Sequence, residues 1–208
     1  MTKLVDLLTQ DSLYLHPEML VVFPGNHDQP RFLTLAKNDI SKLMMAEAFL
    51  LTTRRVVHLY YGDEVAMQGG RDPDNRRDFP GGWPDDPVND FTAAGRTGDA
   101  AKVYNWTHDL LHFRQEHDAV RRGGLIELLS NQDQYAYLRS SADEDVLVVL
   151  NRAGSEKPIQ IDVDDLPLKD GLRLTPLAAG APEALVSKGK IVIDHPGEVQ
   201  IYSAKHEH

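Results

Sequence analysis

The sequence has 208 residues, room for one large domain or two small ones, with 41% apolar residues and a mean hydropathy of −0.39. A formal net charge of −10, from 32 acidic and 22 basic residues with no long basic run, argues against nucleic acid as a partner. Cysteine is absent, which excludes disulfides and thiolate metal sites; no apolar stretch reaches membrane-spanning length and no signal-peptide pattern opens the sequence, so no membrane partner is expected.

Up to about residue 120, helical and short strand patterns alternate. Leu4, Val5, Leu7 and Leu8 read as an amphipathic helix, and residues 19–23 as a strand running into Asn26-His27-Asp28. Asn38 or Asp39 can cap a helix carrying Ile40, Leu43, Met44, Glu47, Phe49, Leu50 and Leu51. A second strand, Val56 to Tyr61, runs into Gly62-Asp63-Glu64. An apolar run that ends in polar residues reads as a buried parallel strand delivering side chains to the mouth of a sheet or barrel. Residues 69–98, with Pro73, Pro80, Pro84 and Pro87, predict a long irregular loop, a feature more often functional than not. Asp99 is the expected cap of a last helix with Val103, Trp106, Leu110 and Phe113 on one face.

From about residue 121 the period changes to two. Strand candidates are Leu125 to Leu129, Tyr135 to Arg139, Val146 to Leu150, Ile159 to Val163, Leu172 to Leu174, Ile191 to Ile193 and Val199 to Ile201. Turn signals separate them, among them Ala153-Gly154-Ser155 and Lys169-Asp170-Gly171. Six or seven such strands predict an antiparallel β-sandwich with Leu147, Val149, Ile159, Ile161 and Val163 facing its core and Gln160 facing out. The fold class expected is therefore α+β, with a domain boundary near 120: residues 1–120 and an all-β domain over 121–208. Lys205-His206-Glu207-His208 reads as a disordered tail.

Single residues admit bland readings. Arg31 suits a ligand or a nearby carboxylate; Asp63 and Glu64 suit bracing of the loop behind the second strand. Asp74, Asn75, Arg77 and Asp78 suit solvent or internal loop bracing. His108 and His112 have the i, i+4 spacing of metal ligands, but no Glu-bearing zinc motif surrounds them, so no metal is expected. Tyr135 and Tyr137 suit cross-strand packing better than a ligand platform.

Four stretches together resemble the α-amylase family of glycoside hydrolases, nearest its neopullulanase and cyclomaltodextrinase branch. They are Phe23-Pro24-Gly25-Asn26-His27-Asp28 followed by Arg31, Leu59 to Glu64, Asp72 to Arg77, and Phe79-Pro80-Gly81-Gly82-Trp83. The resemblance implies that residues 1–120 are the last portion of a (β/α)8 barrel and that the partner is an α-glucan oligosaccharide. No cofactor is implied. Asp28 matches the family carboxylate that supports a cationic transition state, and His27 the imidazole on the same sugar. Asp72 and Arg76 match a pair that holds a more distant glucose. Asn26 suits hydroxyls by its paired donor and acceptor, and Phe79 and Trp83 offer apolar faces to sugar C–H groups. Retaining hydrolysis needs two carboxyl groups about 5–5.5 Å apart. In the family these follow the fourth and fifth strands, so the nucleophile and general acid are expected to precede residue 1. The expected partner is then the upstream barrel portion or a second copy. The alternative reading is a non-catalytic β-sandwich module that binds carbohydrate or protein.

Overall fold

The computed structural model describes residues 1–54, 56–154, 156–166 and 168–206. Its elements in chain order are α1 (Thr2–Thr9), β1 (Val21–Val22), α2 (Phe32–Leu35), α3 (Ile40–Thr52), β2 (Val56–Val57), α4 (Gly98–Glu116) and α5 (Asp118–Arg122), then β3 (Gly124–Ser130), β4 (Gln134–Ser140), β5 (Glu144–Asn151), β6 (Ile159–Asp162), β7 (Arg173–Pro176), β8 (Ala184–Ser187), β9 (Lys190–Ile193) and β10 (Val199–Lys205). Two compact units result. One takes Met1–Met19, Thr52–Arg54 and Phe113–His208; the other takes Leu20–Leu51 and Arg55–His112.

In the β unit, eight strands among the described residues pair in the order β3-β4-β5-β10-β7-β8-β9-β6, every pairing antiparallel. Residues from β4 and β5 share one apolar core with residues from β6 and β9, at the far end of that order, so the sheet folds over on itself. Leu147, Val149, Ile159, Ile161 and Val163 all lie in this core, and Gln160 is exposed, as the alternation predicts. The strand count is a correction: β8 escaped the periodicity. Its signal is the tight turn Lys188-Gly189 into β9, where both residues have positive φ (52° and 69°), the backbone of a two-residue hairpin. A Cβ on Gly189 would sit 1.4 Å from Asp164 Oδ1, so only glycine fits there.

The tail is a second correction. Lys205 belongs to β10, and the His206 ring sits 2.8 Å from Asp145 Oδ2 and 2.9 Å from the Ala142 carbonyl. Those partners lie more than sixty residues earlier, so the local polar composition did not reveal them. Glu207, His208 and the turn residue Ser155 lie outside the described residues.

The other unit holds β1 and β2, paired in parallel with Val21 opposite Val56 and Val22 opposite Val57. Both strands are far shorter than the expected 19–23 and 56–61. Beyond Phe23 comes Pro24, which has no N–H to continue a ladder, and the second run turns sharply at Gly62. Leu33 of α2, Leu43 of α3 and Val103 of α4 pack in one apolar cluster of this unit, where Ala48, Leu51 and Leu110 are also buried. Asp39 accepts the Lys42 N–H at 3.2 Å and so caps α3 as expected. Asp99 does not cap α4: the helix opens at Gly98, leaving Asp99 within the first turn, where its charge still complements the helix dipole.

Candidate functional site

The polar end of the first strand is a tight turn. Asn26 Oδ1 accepts the Asp28 N–H at 2.9 Å, a side-chain mimic of a backbone turn, and the Gln29 N–H reaches the Asn26 carbonyl at 3.3 Å. This projects His27 and Asp28 outward, with side chains 61% and 66% exposed and His27 Nε2 3.4 Å from Asp28 Oδ1. Arg76, from the long loop, joins them. Its Nε lies 2.8 Å from Asp72 Oδ1 and donates to the His27 carbonyl at 3.1 Å, and its second terminal nitrogen is 3.6 Å from Asp28 Oδ1. One guanidinium therefore stands between two carboxylates more than forty residues apart in sequence. Asn26, His27, Asp28, Asp72 and Arg76 thus form one exposed cluster. Its donors and acceptors alternate over a few ångströms, as vicinal hydroxyls require.

Phe79 and Trp83 are not drawn into that cluster by the contacts they make. Phe79 packs on Phe91 with ring centroids 4.5 Å apart, and Trp83 donates its indole N–H to Asp78 Oδ2 at 2.9 Å. Both partners belong to the same loop. Trp83 remains 63% exposed, its face open to solvent.

Beneath the cluster the support is buried. Arg31 is 1% exposed; one of its nitrogens donates to the Tyr61 carbonyl at 2.7 Å and to Asp63 Oδ1 at 3.2 Å. Its guanidinium also lies 4.6 and 4.9 Å from the ring centroids of Tyr60 and Tyr61. Arg31 therefore pairs with a carboxylate, and Asp63 braces the turn after the second strand. Burial pushes the Asp63 carboxyl up to about 6 against the opposing pull of Arg31. Gly62 has φ +87°, and a Cβ there would meet Met67 Sδ at 2.1 Å, so this turn needs glycine twice over.

The supporting residue that sequence reasoning left undecided is Asn75. It is fully buried, and its amide nitrogen donates to the His27 and Gln29 carbonyls, both at 2.8 Å. Its position inside the Asp-Pro-Asp-Asn-Arg stretch was the only available signal. Glu47, also fully buried, accepts from the Thr107 hydroxyl at 2.9 Å; burial pushes its carboxyl up to about 8. A cavity of about 550 Å³ in the β unit is lined by Lys169, Arg173, Lys205 and His206 and includes none of the sequence-nominated site residues.

Residues 2–123 match the alpha amylase catalytic domain, and residues 126–176 match the maltogenic amylase C-terminal domain. A cyclomaltodextrinase of Geobacillus thermopakistaniensis is 28% identical over 142 residues, 67% of this chain and 22% of the relative. A cyclomaltodextrin glucanotransferase of Geobacillus stearothermophilus is 33% identical over 150 residues, 71% of this chain and 19% of the relative. Among solved structures, the alpha-amylase of Geobacillus thermoleovorans complexed with acarbose superposes with a TM-score of 0.79 at 25% identity, over 99% of this chain and 43% of that one. The chain spans 22% and 21% of the length of two cyclomaltodextrinases that it matches. With more than half of its length matched to the catalytic domain, the chain belongs to the alpha-amylase family.

Proposed function

We propose that this chain supplies the sugar-binding and transition-state-supporting part of a retaining α-glucan hydrolase site, and that the nucleophile and general acid come from sequence beyond these 208 residues. In this reading β1 and β2 are the last two strands of a (β/α)8 barrel, and residues 1–120 are its carboxyl-terminal portion, followed by the β domain over 121–208. The observation that carries the proposal is the meeting of Asp28, His27, Asp72 and Arg76 in one exposed cluster, in a chain of this family. Asp28 holds hydroxyls of the reacting sugar and stabilises the positive charge that develops on it. His27 binds the same sugar. Arg76 and Asp72 bind the next units outward, Asn26 shapes the turn and adds a polar edge, and Phe79 and Trp83 offer ring faces to sugar C–H groups. The ligand is an α-linked glucan oligosaccharide, and the other partner is the remaining barrel portion.

The test is a titration of the chain with acarbose or maltotriose followed by NMR. Shifts confined to residues 26–29 and 72–83, lost in Asp28→Ala, are the expected result. Shifts elsewhere, or binding that Asp28→Ala leaves intact, would overturn the assignment. Without a nucleophile and acid the chain alone should release no reducing ends from starch, pullulan or cyclodextrin.

A further inference from the structure

Asp28 has a placement problem. Its carboxylate is mostly exposed, and its two side-chain neighbours stand at 3.4 Å and 3.6 Å, too far for hydrogen bonds of normal length. A group that must meet a sugar within fractions of an ångström cannot be held by such contacts. Its backbone, in contrast, is fixed on both sides. Asn26 takes the Asp28 N–H. The carbonyl before Asp28 (His27) and the carbonyl after it (Gln29) are both held by the same amide group, Asn75 Nδ2, at 2.8 Å each.

Asn75 is itself closely packed. It is fully buried, and its backbone lies so close to Gly69 that a Cβ on that glycine would stand 2.7 Å from Asn75 Cα. Gly69 in turn accepts the Arg31 N–H at 3.0 Å and donates to Thr34 Oγ1 at 2.9 Å, and Arg31 is the buried residue that closes the turn 26–31. The link therefore runs from Asp28 through Asn75 to Gly69 and back to Arg31, a closed ring of hydrogen bonds and packing around one exposed carboxylate.

We infer that Asn75 is the positioning residue for Asp28: its two-pronged amide locks the turn 27–29 to the loop 69–76, so that the transition-state carboxylate and the Asp72–Arg76 pair are set as one rigid piece. This rests on the sugar-site reading above. Another side chain of similar size can fill the space, but only a primary amide of this length can give two N–H groups to two carbonyls at once. Asn75→Asp keeps the shape while replacing both donors with a charge that repels both carbonyls.

The experiment uses the full chain, labelled for NMR, as wild type and as Asn75→Asp, with Asn75→Ala as the second variant should the buried charge prevent folding. Two readings are taken, amide exchange and acarbose titration. The expected result is amide exchange faster by roughly tenfold or more at Asp28 and Gln29, with Leu147 and Val149 of the β core unchanged. Acarbose affinity should fall as far as it does in Asp28→Ala, though Asp28 is still present. Unchanged exchange at Asp28 and Gln29 in a folded variant overturns the inference. So does loosened exchange with acarbose affinity equal to wild type. If the wild type itself binds no acarbose, the sugar-site reading fails, and the exchange reading alone then decides whether Asn75 locks the turn.

Discussion

At the level of single residues, the informative side chains are those whose partners lie far away. Glu47 is the sharpest case. Its folded-state value is raised to about 8 from an ordinary 4.5, chiefly by burial, with the Thr107 hydrogen bond opposing. A raised carboxyl is protonated more readily in the folded state, so its contribution is complete below about pH 4.5 and is lost as the pH climbs to about 8. Glu47→Gln, which cannot ionise, should remove that slope. By pH 8 the variant should be more stable than the wild type by an amount on the order of a few kcal/mol, read by urea denaturation at a series of pH values. Parallel curves for the two proteins would mean that Glu47 stays charged and finds a counter-charge. Asp63 adds a slope of the same sign, between its ordinary 3.8 and about 6, and Arg31→Met should move it upward by removing the one opposing charge. That variant also leaves Asp63 buried without its cation, so a loss of stability on the order of 3 kcal/mol is expected.

Among the elements, β4 shows how a strand buries both faces. Ala136 and Leu138 enter the core of the β unit, while Tyr135, Tyr137 and Arg139 are buried on the other side. That settles the tyrosine pair: their ring centroids are 5.1 Å apart and both rings are buried, so they are packing residues and not a sugar platform. Tyr137 OH forms a hydrogen bond with Thr52 Oγ1. Arg139 donates to the carbonyls of Thr52, Gly123 and Gly124 at 2.6, 2.7 and 3.3 Å. Burial lowers its guanidinium to about 10, still charged at neutral pH. Arg139→Met should therefore destabilise the β unit by about 2–4 kcal/mol, because three carbonyls lose their donor, and a thermal melt checks it. A melt unchanged from wild type would show that water can reach those carbonyls. At the end of β10, the bonds to Asp145 and Ala142 raise the His206 imidazole above its ordinary value. A raised base stabilises fully below its unfolded value and loses that contribution as the pH rises through its folded value, so the β10 end should loosen on the alkaline side. Faster exchange of the Lys205 amide above neutral pH, absent in Asp145→Asn, is the expected signature.

For the whole molecule, the question is what covers β1 and β2. Among the described residues they pair only with each other, and Val21, Phe23 and Val56 are 54%, 42% and 44% exposed. Apolar strands with open edges seek a partner. On the proposed barrel reading, the chain should self-associate, or bind the remaining barrel portion when it is supplied, and light scattering over a concentration series reads the first. Val21→Lys with Val56→Lys should lower the apparent mass. A wild-type chain that stays monomeric at high concentration would show that the edges are protected in another way. On the same proposal, supplying the rest of the barrel should bring glucan hydrolysis that Asp28→Ala removes; binding without hydrolysis would point to a family member that kept its sugar site and lost its chemistry. Among the described residues no helix is long and apolar enough to cross a membrane.

The sequence by itself determined the period-two region and which of its residues face inward, because a strand's alternation is a local property of the backbone. It also supplied the family resemblance and the residues that end the two strand runs, because those motifs are contiguous. The tertiary structure alone decided that Arg76 reaches Asp28, that Arg31 pairs with Asp63 and that Asn75 holds the turn between His27 and Gln29. Each joins positions about thirty to fifty residues apart, and those of Asn75 end on backbone carbonyls. Every residue has a carbonyl, so no pattern of side chains can say which one a buried amide will find. The same reason hid the role of Arg139, whose three acceptors are all main-chain oxygens.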